Sequence, residues 1–218
     1  MPTELREIDK VNVTIAGPFN PSIFQPFWLA KHGLVPEDEA NKATVTVIHP
    51  DVARISVGPF VLLVDRNRAI LEVEDLSYLA PLRDLVSGIA QLLPHVPVQA
   101  IGFNRIMHFK ATKGELDQLG FALAPRPPWS GLLEDSEMRI LVMWGKRDGV
   151  DARVQIQVEG SRKLAGLGLV VSANEEHRVG DVSTLLDVRD ILIEHFDDAV
   201  ANNLRIGEGL AQMMRKQP

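Results

Sequence analysis

The chain has 218 residues, 45% of them hydrophobic and 24% charged, and carries 23 basic against 29 acidic side chains for a net charge of −6. Such a chain has the composition of a globular protein, long enough for a sizeable core in one large domain or two small ones. With no cysteine, it excludes a disulfide framework, an iron–sulfur cluster, thiolate zinc and cysteine nucleophiles, and with no basic half it argues against non-specific nucleic-acid binding.

Residues 11–16 alternate apolar and polar as a half-buried strand, which Gly17-Pro18 ends. Asn20-Pro21-Ser22 has the form of a helix start. Phe24, Phe27 and Trp28 then fall at i, i+3 and i+4, a buried aromatic face, before a terminating Gly33. Pro36 opens a short turn with Glu37, Asp38 and Glu39 at its positive end. Strands are predicted at 43–49, 53–57, 60–64 and 69–74. An amphipathic helix at 79–93 buries Leu82, Leu85, Val86, Ile89, Leu92 and Leu93. A long strand at 98–109 follows.

The second half runs through a helix at 113–120, a proline-rich loop at 125–129, strands at 138–145, 152–159 and 166–173, and a helix at 183–214. Residues 152–159 place Ala152, Val154, Ile156 and Val158 on one face and Arg153, Gln155, Gln157 and Glu159 on the other. One side of this sheet therefore meets water. The order predicts a tandem β-α-β-β-β-α arrangement, 1–97 and 98–218, building an α+β fold with a curved, largely antiparallel sheet and helices on one face. That is the plan of TATA-binding-protein-like and helix-grip folds, an analogy of fold that carries no function.

The segment Ala100-Ile101-Gly102-Phe103-Asn104-Arg105-Ile106 resembles the signature strand of a sporadically distributed, uncharacterised prokaryotic family, whose members carry a Gly-Leu-Arg-Tyr-Ile-Asn-like strand after the first long helix. The Glu194-His195-Phe196 step in the last helix resembles that family's C-terminal part, and the element order matches over most of the chain. The strand departs from the pattern in reading Gly-Phe-Asn-Arg without the tyrosine. The resemblance implies a fold and transfers no activity.

Nucleotide-binding motifs are missing: there is no glycine loop ending in Gly-Lys-Ser/Thr, and Gly166-Leu167-Gly168 lacks both the third glycine and the strand-to-helix setting. No Gly-x-Ser-x-Gly elbow occurs. The six histidines show no helical metal spacing, so neither a metal nor a cofactor is expected.

Three places concentrate unusual polarity. In the strand 98–109, Asn104 and His108 share one face with Ile106, while Arg105 shares the other with Phe103 and Met107. One face must be core, so a polar group meets apolar neighbours in either case. On the last helix, at about 100° per residue, Asp187, Asp190, Glu194, Asp197 and Asp198 form an acidic stripe that reads first as a solvated face. Arg189 and Asn203 instead fall inside the apolar arc, where an unpaired guanidinium is too costly to persist. The third place is Trp129, flanked by Pro127, Pro128 and Gly131, which reads as an exposed loop aromatic and a contact for a protein partner.

Two functional readings follow. The first is a non-catalytic interaction or scaffold protein of a bacterial complex, working through a protein partner or as a homo-oligomer. The second is a small-molecule-binding or hydrolytic domain with its pocket between sheet and helices, using Asn104, Arg105, His108, Arg189 and Asn203. Without an apolar leader in Met1–Glu7 or a run of about 20 apolar residues, the chain is expected in the cytoplasm, away from membranes.

Overall fold

The computed structural model describes residues 6–180 and 183–215. Most of the segment read for a leader lies outside them. Nine strands form one antiparallel sheet: β1 (Arg6–Ala16), β2 (Thr44–His49), β3 (Val52–Val57), β4 (Phe60–Asp65), β5 (Arg68–Val73), β6 (Ala100–Lys110), β7 (Ile140–Lys146), β8 (Arg153–Gly160) and β9 (Gly168–Arg178). Their order is β2-β3-β4-β5-β1-β6-β9-β8-β7. In each half the last strand returns beside the first, β5 against β1 and β9 against β6, and the β1–β6 pair joins the halves. The fold is the expected α+β arrangement of a curved antiparallel sheet with helices packed on it.

Among the described residues the five α-helices are α1 (Pro26–Lys31), α2 (Glu37–Asn41), α3 (Leu79–Leu92), α4 (Lys113–Leu123) and α5 (Leu185–Arg215). Local chemistry sets their ends. Gly33, at φ +69°, lets its own N–H reach Ala30 O and that of Leu34 reach Leu29 O, each at 2.9 Å, the paired closure that a left-handed glycine permits. Thr112 and Glu115 form a reciprocal capping box on α4. Asp187 of the acidic stripe is a cap of the same kind: its Oδ2 accepts from Thr184 N at 2.7 Å and Thr184 Oγ at 2.9 Å. Those bonds hold its carboxyl below the usual range.

Two expectations are corrected. The first α-helix begins at Pro26, after a separate 3₁₀ turn at Pro21–Ile23, so Phe24 is fully buried while Phe27 is 74% exposed. The helical spacing that would align them does not run through Gln25, the extended residue that caps α1. Likewise α3 ends at Leu92, which is exposed.

The residues facing the helices make two apolar clusters. The larger joins β1, β3–β6, α1, α3 and the first half of α5, including Val13, Leu71, Leu82, Phe103, Leu192 and Phe196. The smaller joins β6, β8, β9, α4 and the end of α5 through Met107, Phe109, Leu119, Val158, Val171 and Met214. No helix among the described residues is long and apolar enough to cross a membrane.

Candidate functional site

Sheet register decides which polar side chains can act together. On the face away from α3 and α5, one row crosses five adjacent strands: Asn12 of β1 pairs with Asn104 of β6, Asn104 with Asn174 of β9, Asn174 with Gln155 of β8, and Gln155 with Trp144 of β7. The next row is Lys10, Ile106, Ser172, Gln157 and Val142. Directly opposed side chains on an antiparallel pair lie about 4.5–5.5 Å apart at Cβ, so the amides form a continuous band. A depression of about 160 Å³ opens there, lined by Asn104, Ile106, Gln155, Gln157, Ser172 and Asn174.

One end of the band is locked. Asn12 Oδ1 accepts from Asn104 Nδ2 at 2.9 Å and from Thr14 Oγ at 3.1 Å. The middle is not: Asn174 Oδ1 is buried and has no hydrogen-bond partner. Gly102 leaves room beside it, since a Cβ there would stand 2.8 Å from that oxygen. At the far end the Arg153 guanidinium covers the Trp144 ring at 3.5 Å, within the range of a cation–π contact. Charges stand at the margins. Lys10 pairs with Glu72 and Glu74, while Gln157 Nε2 donates to Glu159 at 2.8 Å.

His108 lies on this same face, two residues beyond Ile106 along β6. Its Nδ1 is 2.7 Å from Ser161 Oγ, and its Nε2 is buried without a partner. Burial, with Lys163 and Lys10 adding positive potential, lowers its pKa against an opposing pull from Glu159. At neutral pH the ring is therefore uncharged.

The other sequence-derived candidates sit elsewhere. Arg105 faces the helices, 3% exposed, and is held by Asp9 through Nε and Nη2 at 2.9 and 2.7 Å and by Val200 O at 3.2 Å. Asn203 of α5, fully buried, donates Nδ2 to Phe103 O at 2.9 Å. Arg189 lies between α5 and α3, where its Nε donates to Ser87 Oγ at 2.8 Å. Trp129 is 47% exposed in a 3₁₀ turn at Pro127–Trp129. The structure thus brings Asn104 and His108 onto one face, Arg105 and Asn203 onto the other, and Arg189 to a helix–helix contact.

Between sheet and α5 there is instead a polar seam that the sequence reading did not single out. Glu175 of β9 is completely buried, with Oε1 3.1 Å from His177 Nε2. His177 stacks on His195 of α5 at 4.7 Å and 18°. Arg147 Nη1 donates to Asp198 at 2.5 Å. Its Nη2 lies 3.1 Å from Glu175 Oε1 but is misdirected for a hydrogen bond, so the two charges attract without one. Three carboxylates of the α5 stripe are thus engaged within the chain: Asp187 as a cap, Asp197 by Arg83 Nη1 at 2.6 Å and Asp198 by Arg147.

Signals for the groove existed only in part. The alternation of 152–159 does place Gln155 and Gln157 on the wet face. Asn174, Glu175 and His177 lie beyond the expected strand end at 173, because β9 runs on to Arg178 through a polar stretch.

No family model matches the chain, and no curated protein matches it. Among solved structures, it is similar to the di-domain ARO/CYC StfQ from the steffimycin biosynthetic pathway, at 12% identity over 93% of this chain and 98% of that one, with a TM-score of 0.25.

Proposed function

We propose that the chain is a small-molecule-binding domain whose site is the amide groove on the open face of the sheet, and that its ligand is a small, uncharged, hydroxyl-rich molecule such as a neutral oligosaccharide. The observation carrying this reading is the in-register band Asn12–Asn104–Asn174–Gln155, with the acceptor Asn174 Oδ1 left without a partner. Each primary amide offers two donors and an acceptor. A row of them suits groups that donate and accept at once, and a ligand hydroxyl would satisfy the orphaned oxygen. The centre of the groove holds no ionised side chain to repay desolvation of a charged ligand. From Asn12 to Trp144 the band crosses four inter-strand steps of about 4.8 Å, while the depression at its centre admits only one small ring or group. A longer ligand would therefore lie across the strands and seat one unit in the groove.

This reading places the pocket on the opposite side from the one expected between sheet and helices, where apolar clusters and the Glu175–Arg147 seam occupy the helix face. The experiment is a titration with neutral trisaccharides, maltotriose and chitotriose, to about 10 mM, a concentration that nearly saturates a site of about 1 mM affinity. The side-chain amide resonances of Asn104, Asn174 and Gln155 and the Trp144 indole are followed by NMR. Shifts confined to these groups, abolished in Asn174→Ala and Gln155→Ala, are expected. Unmoved amide resonances in the folded wild-type protein with both sugars would overturn the reading.

A further inference from the structure

The sheet has two edges, and they are built differently. At β2 the ladder to β3 slips between Val45 and Val47, an irregularity of the kind that protects an edge from adding another strand. At β7 the ladder to β8 runs without a break from Ile140 to Lys146. Its sequence, Ile-Leu-Val-Met-Trp-Gly-Lys, contains no proline and a single charge at its end. The strand is largely exposed on both faces: Ile140 and Met143 are each 54% exposed, Trp144, beneath the Arg153 guanidinium, 46% and Val142 41%, while Leu141 packs against the smaller apolar cluster. A long, flat, apolar edge with free backbone N–H and C=O groups is a template for strand addition.

We infer that β7 pairs with β7 of a second copy, antiparallel about a two-fold axis through Val142, so that two nine-stranded sheets become one. The strand's own sequence selects that occupant. A two-fold axis perpendicular to the sheet keeps like faces together and therefore centres on a residue. Centred on Val142, it sets Ile140 against Trp144 and Val142 against itself on the open face, with Leu141 against Met143 on the other. Aromatic and β-branched residues make favourable cross-strand partners. In the flanks Met138 falls opposite Lys146 and Arg139 opposite Gly145, while Arg147, held by Asp198 and Glu175 of its own chain, and Glu137, paired with Arg139 of its own chain, face each other, so no like charges meet. Moving the centre to Met143 would set Ile140 against Lys146 and Arg139 against Arg147. The contact is isologous and closes on itself. The free edges of the pair are then the two interrupted β2 strands, and growth stops at two.

The test uses the full chain, whose lack of cysteine makes an introduced one unique. Light scattering at about 100 µM, a hundredfold above a micromolar dissociation constant, should give twice the chain mass. Ile140→Lys and Met143→Lys, both at exposed positions, should give folded monomers by circular dichroism. Val142→Cys should form a covalent dimer on oxidation or with a short bis-maleimide, and Met143→Cys a much poorer one. A wild-type monomer at this concentration would overturn the inference. So would a dimer that survives both lysine variants, or one that cross-links through Met143→Cys and not Val142→Cys.

Discussion

The Arg105–Asp9 pair offers the sharpest test of how the helix face is held together. Arg105 is 3% exposed, and two of its nitrogens donate to Asp9 at 2.9 and 2.7 Å, with a third reaching Val200 O. Removing the carboxylate in Asp9→Ala leaves a buried guanidinium with one carbonyl for company. Breaking a buried pair in this way costs about 3–5 kcal/mol, which for a chain of this size lowers Tm by about 6–20 °C. Arg105→Leu should cost less. Asp9 is then left beside Arg6 Nε at 3.0 Å, and the new side chain is apolar among Phe103, Met107 and Val200. The double variant Asp9→Leu/Arg105→Leu should be no worse than Asp9→Ala alone, because it leaves neither charge unpaired. Urea titration at constant m-value measures all three. A cost below about 1 kcal/mol for Asp9→Ala, or a double variant less stable than either single one, would refute the argument that desolvation of an unpaired charge dominates here.

Three further outcomes follow from the same geometry. His108, whose pKa is lowered in the folded state, takes up a proton more readily when unfolded; stability should fall as pH drops below about 6.5 toward the lower folded value, and His108→Gln should flatten that acid limb of a Tm-against-pH curve. Gly17→Ala should destabilise the protein by about 1–3 kcal/mol in denaturant titrations, since the added Cβ would lie 2.6 Å from the backbone carbonyl oxygen of Pro97. Arg189→Leu should cost only about 0.5–1.5 kcal/mol by thermal melts, the worth of its hydrogen bond to Ser87, and Ser87→Ala should cost about the same.

How far the sequence carries a reader depends on which interaction decides each point. Periodicity located the strands and both long helices because burial is one-sided: β8 alternates as written, and α3 buries Leu82, Leu85, Val86 and Ile89 on a single stripe. It failed at β9, where Glu175 and His177 occupy core-facing positions that hydropathy marks as loop. The anomaly at Arg105 was visible as a cation among apolar neighbours, but its partner was not, since Asp9 is 96 residues distant in sequence and only the β1–β6 register brings them together. The amide band is legible only in part, at Asn104 and Gln155, for the same reason. Asn12 and Asn174 join Asn104 and Gln155 in one row only when four strands align.

The 31-residue helix α5 has a consequence for the order in which the chain can settle during synthesis. Its residues Leu185, Val188, Leu192, Phe196, Ala199 and Val200 belong to the same apolar cluster as Val13, Leu71 and Leu82. The strands and helices of the first 97 residues thus leave the ribosome with one wall of their interior still unmade. At about 5–20 residues per second, the interval until Val200 is translated is about 5–20 s. Throughout that time the apolar face that α5 covers in the finished fold stays exposed to solvent. A released chain truncated before α5 should be degraded faster than the full chain.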